Sequence, residues 1–409
     1  MVEKDIYLTI SRFSLLIVGG LVSATLIFLI ISVLKHLLAI LKEKLTHQEK
    51  LKYLDYFYSY ILDQIELDEL KKRITNKNLA TEALTTAISQ IKGSKWEKLK
   101  QASHELSITT ELEASTNRLA ASRRIHACYL LGLLGTERSV DVLIKRLNDR
   151  RAEVVSASII AIGEIGSLEG LKYLLKIYKA ASPTHTWLIA SVISRFPTRD
   201  IYSEIVKLLS GGTLPPDKAI LLIKVLASFH LDESLNLLIN LYKNSPNIDV
   251  RIAALSALGK INDLTSVKLI FEALHNERWE IRAIACNLIG EMGLKGASYR
   301  LLPLLQDKNW WVRRNAAYAL VNLGKIGIHT LLNFLETSDR YARDIIAHAL
   351  EESGIIEDSV MIITGNKSGD TQEAREILKA LAAKGYTKFM ENFTSYPEIR
   401  KILKGATAT

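Results

Sequence analysis

The sequence repeats itself about every 31 residues, and this periodicity constrains the fold more than any other property. VRIAALSALGKI (250–261), IRAIACNLIGEM (281–292) and VRRNAAYALVNL (312–323) align along their whole length. Their arginines, Arg251, Arg282 and Arg313, stand one full period apart, and Gly259 and Gly290 follow the first two at an offset of eight. Upstream, RIHACYLLGLLG (124–135) has Arg124 and Gly132 at the same offset. VSASIIAIGEIG (155–166) places Val155 and Gly163 one period later. Degenerate copies fall at WLIASVISRF (187–196) and AILLIKVLASF (219–229), and YARDIIAHALEE (341–352) sets Arg343 one short of a period after Arg313.

Each copy reads as two helices. Val250, Ala254, Ala257, Leu258 and Ile261 recur at the spacing of one helix face, and Val267, Ile270, Phe271 and Leu274 form a second stripe after a break at Asn262–Asp263. Alanine on the first helix removes bulk, so its neighbour can approach closely. One such hairpin cannot bury its apolar face alone, whereas stacked copies bury it against each other. Pro183, Pro215, Pro216 and Pro246 fall where one copy hands over to the next. Only 7 prolines occur in 409 residues, none before Pro183, which favours long helices over a many-turned β protein. The expected fold is therefore all-α, an α-solenoid of helical hairpins.

Paired helices of this length with a Val-Arg-x-x-Ala-Ala-x-x-Leu-Gly core resemble HEAT repeats, most closely the short bacterial form that also occurs in the phycobilin-lyase HEAT-like group. The resemblance spans roughly 118–352, is best in 247–336 and is poor in 184–243. It implies a polar ladder in which each arginine meets an acid or amide near the preceding turn. Arg251, Arg282 and Arg313 would be its cations, with Asn276 and Asp307 each six positions before an arginine. Residues 35–117 are expected as juxtamembrane helices and an amino-terminal cap. Residues 353–409 are expected as a helical carboxyl-terminal cap, with a loop at 365–370 and helices near 371–383 and 386–403.

The amino-terminal segment, 1–34, reads differently. Phe13–Leu34 carries no charge and is bracketed by Arg12 and Lys35. As a helix it would reach roughly 33 Å, enough to cross a bilayer. Its charge-mixed start and the lack of a cleavage site argue for an uncleaved anchor, one transmembrane helix at 13–34 preceding the solenoid. Lys4 and Arg12 precede it, and Lys35, Lys42, Lys44, Lys50 and Lys52 follow. That asymmetry places the carboxyl-terminal domain in the cytoplasm, giving a single-pass membrane protein in contact with the lipid bilayer through 13–34. Beyond it, Tyr53, Phe57 and Tyr60 share one helix face, which meets lipid headgroups or another membrane protein, or else packs against the first helices of the domain.

Searches for chemistry return little. Gly365-Asn-Lys-Ser368 lacks the upstream glycine of a phosphate-binding loop. No HExxH or paired-cysteine spacing suggests a metal, and no cofactor is expected. Cys128 and Cys286 lie inside apolar helical patterns, as buried thiols. His126 and Cys128, two apart on a helix, point to different faces and make no dyad. The net charge of +9 is dispersed, at +1 in 1–75, +4 in 76–150, +1 in 151–250 and +3 in 251–409, so nucleic acid is not the expected partner.

Tryptophan is more informative. Trp279 and Trp310 occupy equivalent positions, with Trp311 beside the second. Together with Arg278 and Arg314 they form a candidate edge for a protein partner, or else they pack between copies. The expectation is thus a non-catalytic, membrane-anchored HEAT-like scaffold that binds a membrane-associated protein. By family analogy this would be an accessory subunit of a membrane glycosyltransferase system. The alternatives are a bilin-lyase-like chromophore-attachment subunit and a nucleic-acid-binding HEAT-like protein.

Overall fold

The computed structural model describes residues 2–88, 91, 93–229 and 231–406. The side chains of 2–24, 26, 27, 42, 88, 232, 389 and 406 are not described. Every regular element among the described residues is helical. The chain divides into two compact units, Met1–Gly170 and Leu171–Thr409.

The first unit opens with α1 (Val2–Ile61), followed by α2 (Leu67–Arg73), α3 (Lys77–Ile88), α4 (Ser94–Glu105) and α5 (Ile108–Ser115). The hairpin α6 (Ala121–Leu134) and α7 (Glu137–Arg146) comes next, then α8 (Ala152–Ile165) and the start of α9 (Leu168–Tyr178). Helix α6 packs on α5 and α8, and the distal part of α1 packs on α2, α3 and α4. Tyr53, Phe57 and Tyr60 are all buried in that contact. The Tyr53 hydroxyl donates to Glu49 Oε1 at 3.1 Å and accepts from the Asn76 N–H at 3.1 Å. The Lys98 ammonium stands 4.7 Å from the Tyr60 ring centroid. Of the two readings of this aromatic face, packing against the first helices of the domain is the geometry observed.

Among the described residues no helix is long and apolar enough to cross a membrane. The expected transmembrane anchor, the bilayer contact through 13–34 and the single-pass location with a cytoplasmic carboxyl-terminal domain are corrected on that finding. Residues 13–24, 26 and 27 of the apolar run lie outside the residues whose side chains are described.

In the second unit come α10 (Pro183–Ile193), α11 (Arg199–Ser210), α12 (Pro216–Phe229), α13 (Leu235–Asn244), α14 (Ile248–Ile261) and α15 (Leu264–Ala273). They are followed by α16 (Trp279–Glu291), α17 (Ser298–Leu301), α18 (Trp310–Asn322), α19 (Lys325–Phe334) and α20 (Arg340–Glu352). The unit closes with α21 (Ile355–Ile363), α22 (Thr371–Ala383), α23 (Lys388–Glu391) and α24 (Pro397–Ala406). The first helices of successive hairpins pack in series, α10 on α12, α12 on α14, α14 on α16, α16 on α18 and α18 on α20. Val250, Ala254, Ala257 and Leu258 are buried, as the stripe requires.

Close approach depends on the glycine of the repeat. A Cβ at Gly290 would stand 2.8 Å from Ala319 Cα on the next first helix. The turn within a hairpin needs a left-handed residue, supplied by Asn262 at φ 55° and, in the next copy, by Gly293 at φ 62°. Asn247 caps α14 by accepting from the Asp249 and Val250 N–H groups at 2.9 and 3.1 Å. Pro183 and Pro216 open α10 and α12, where a missing N–H costs nothing. Pro303 shortens the second helix after α16, which survives as α17 with a 3-10 segment on each side. Beyond α22, Pro397 begins a separate helix, so the expected single helix over 386–403 is two.

Candidate functional site

Each repeat begins with a polar turn, and that turn builds the arginine ladder. Asp149, Ser245, Asn276, Asp307 and Thr337 each accept, through the side chain, from the N–H two positions on. Asp307 does so from Asn309 at 2.8 Å while also taking two hydrogen bonds from Arg282, at 2.7 and 2.8 Å. Arg282 Nη1 donates to the main-chain oxygens of Asn276 and Glu277 at 2.8 and 3.0 Å. In the first unit Arg124 repeats the arrangement, with both bonds to Asp149 at 2.9 Å and two more to the carbonyls of Arg118 and Leu119.

The rule differs from the sequence expectation. Arg124 and Arg282 each bind the carbonyls of their own preceding turn and reach forward to the carboxylate of the next turn. Asp307 therefore belongs to Arg282 rather than Arg313, and Asn276 meets Arg282 through its main-chain oxygen. Arg251 donates instead to the Tyr242 carbonyl at 2.9 Å. For Arg313 the residue at the forward position is Thr337, which carries no charge. The Arg313 Nε is buried without a hydrogen-bond partner among the described residues, and its guanidinium sits 5.3 Å from the Tyr341 ring centroid.

Burial alone would push the Asp307 carboxyl up. The Arg282 hydrogen bonds, the Asn309 N–H and the charges of Arg282 and Arg313 outweigh it and hold the group below the usual aspartate value. Asp149 is held down in the same way, against its burial, by Arg124, the Arg151 N–H and Arg146. Both thiols are fully buried and unpaired. Burial pushes Cys128 up to about 11 and raises Cys286 further. Protonated and inaccessible, neither can serve as a nucleophile. His126 is exposed and Cys128 is not, so the structure separates them.

The aromatic edge lies at the starts of α16, α18 and α20. Trp279, Trp310 and Trp311 are 37%, 46% and 51% exposed, so a large part of each ring faces solvent. Trp310 and Trp311 meet edge to face with centroids 4.8 Å apart. Arg278 pairs with Glu280 at 2.8 Å, which holds that carboxyl below its usual range. Arg314 stacks 4.3 Å from the Tyr318 centroid and reaches Glu352 at 3.3 Å. Tyr341, 69% exposed and one period after Trp310, extends the row. The spacing that singled out the tryptophans would have found it.

Two concavities among the described residues have charged walls. In the first unit a cleft of about 600 Å³ lies among α3, α5 and α6, with Glu82, Glu111, Arg118, Arg123 and His126 at its walls. In the second unit a cleft of about 910 Å³ lies between α22 and α24, and four of its nine lining residues are basic. Among the described residues no group of three or more His, Cys, Asp or Glu is placed to hold a metal ion.

Residues 112–194 and 267–351 match the family model of HEAT repeats. The bilin biosynthesis protein MpeU of Synechococcus sp. (strain WH8020) is 34% identical over 106 residues, 25% of this chain and 35% of that protein. The chain thus matches about a third of the length of its curated relative. Among solved structures, the complex of CpcE and CpcF of phycocyanin lyase from Nostoc sp. PCC7120 is similar with a TM-score of 0.30 and 17% identity, over 60% of this chain and 94% of that one. Kap121p is similar with a TM-score of 0.45 and 12% identity, over 89% of this chain and 49% of that one. The match to a bilin biosynthesis protein overturns the expectation of a non-catalytic chain, which had rested on the lack of a recognisable motif.

Proposed function

We propose that this chain works in bilin metabolism, as a HEAT-repeat protein that takes up a linear tetrapyrrole and helps attach it to a partner protein. The observation that carries the reading is the 34% identity over 106 residues to a bilin biosynthesis protein. The chemistry available is consistent with it. Thioether attachment adds a cysteine S–H across an exocyclic C=C of the bilin. The S–C bond forms, the π bond breaks, and the thiol proton ends on the neighbouring carbon, with no oxidant or reductant consumed. Cys128 and Cys286 are buried and protonated, so the accepting thiol has to come from the partner. The exposed Trp279, Trp310 and Trp311, with the half-buried Arg314 on the same helix as the last two, are the surface we assign to that partner.

The test is titration of the purified chain with biliverdin, read by visible absorbance. A saturable spectral change is expected, and denaturation should release all the pigment because no covalent bond to this chain has formed. An unchanged bilin spectrum at high protein concentration would overturn the reading. Replacing Trp310 and Trp311 with alanine should weaken capture of an apo-phycocyanin subunit while leaving the melting temperature within about 2 °C. Unaltered capture would remove the row from the assignment.

A further inference from the structure

The cleft between α22 and α24 is lined by four cations. Arg375 and Lys379 are one helical turn apart on α22, and Lys401 and Lys404 are one turn apart on α24. Like charges at such spacing repel, as Arg375 and Lys379 do here. Nearby, Lys325 is matched by Asp370 and Glu373, Lys367 by Asp358, and Lys384 by Glu336. Arg375, Lys379 and Lys401 have no ion pair among the described residues. Among those residues Glu398 is the only carboxylate at the lining. The floor is apolar, with Ile402 buried and Pro397 beside it. A volume of about 910 Å³ lies within the usual small-molecule range of roughly 300–1,000 Å³.

The geometry points to a site for an amphipathic dicarboxylate, and, resting on the bilin reading above, we infer that the occupant is the bilin itself. Its two propionates would meet Arg375 and Lys379 on one wall and Lys401 on the other, while its pyrrole rings cover Ile402 and Pro397. Arginine suits a carboxylate because its fork can bind both oxygens. The four cations stand at the surface, so a ligand can reach them without displacing a packed side chain.

The experiment uses the full chain with biliverdin and with biliverdin dimethyl ester, which keeps the rings and loses both charges. Wild type should bind the acid at least tenfold more tightly than the ester. The variant Arg375→Gln/Lys401→Gln should lose that preference, with an unchanged melting temperature because the replaced groups are exposed. Lys325→Gln, outside the cleft, should keep it. Wild type and the double variant binding biliverdin equally well would overturn the site while leaving the bilin reading intact. A wild-type chain that binds neither pigment would overturn both.

Discussion

At the residue scale the decisive group is the aspartate of the repeat turn. Asp307 serves two structures at once, the turn that starts α18 and the charge of Arg282 on the preceding hairpin. Their side chains are 9% and 17% exposed, between surface and fully buried pairs. Asp307→Ala should cost about 3 kcal/mol by urea denaturation, and Asp307→Asn, which keeps the turn acceptor, about half of that. Because the folded state holds this carboxyl below its unfolded value, its stabilisation is present above that value and is lost as pH falls through the folded one. Stability should therefore decline below about pH 4, and Asp307→Asn should flatten the decline. Thr337 offers the converse change. Thr337→Asp would give the stranded Arg313 a carboxylate and should stabilise the chain by about 1 kcal/mol; a loss of stability would show that Tyr341 already satisfies that arginine.

At the scale of elements, the hairpins were legible because apolar periodicity and turn residues are local, and both recur with every copy. The ladder was misread for the opposite reason. Groups on successive turns meet only once two hairpins have stacked, while spacing suggests a partner on the turn just before. The exposed edge was visible as aligned tryptophans, but their exposure depends on how the next hairpin sits. The basic cleft was invisible, since Arg375 and Lys401 come together only after the chain turns at Pro397. The apolar run at 13–34 falls largely outside the residues whose side chains are described. Glycine gives the sharpest element-scale test. Gly290→Ala gains about 1 kcal/mol of helix propensity but drives a Cβ to within 2.8 Å of backbone, and should destabilise by about 2 kcal/mol net. Gly259→Ala meets only the far end of the Leu288 side chain, and its effect should stay within about 0.5 kcal/mol. Equal effects at the two sites would show that the first helices are not in close register.

At the scale of the molecule, a stack of hairpins repeats one solution to burying apolar surface and leaves its outer residues free to vary. Here the outer residues supply exposed aromatics on one row of helix starts, and Arg375, Lys379 and Lys401 stand at a cleft between α22 and α24. On the proposal above, the two features suit a planar, anionic pigment and the protein that receives it. The direct measurement is transfer. An apo-phycocyanin subunit and a bilin are incubated with and without the chain, and covalent pigment is scored after denaturation by zinc-enhanced fluorescence. Faster labelling of the acceptor with the chain present, and no pigment fixed to the chain, is the expected result. Identical labelling rates with and without it would contradict the account.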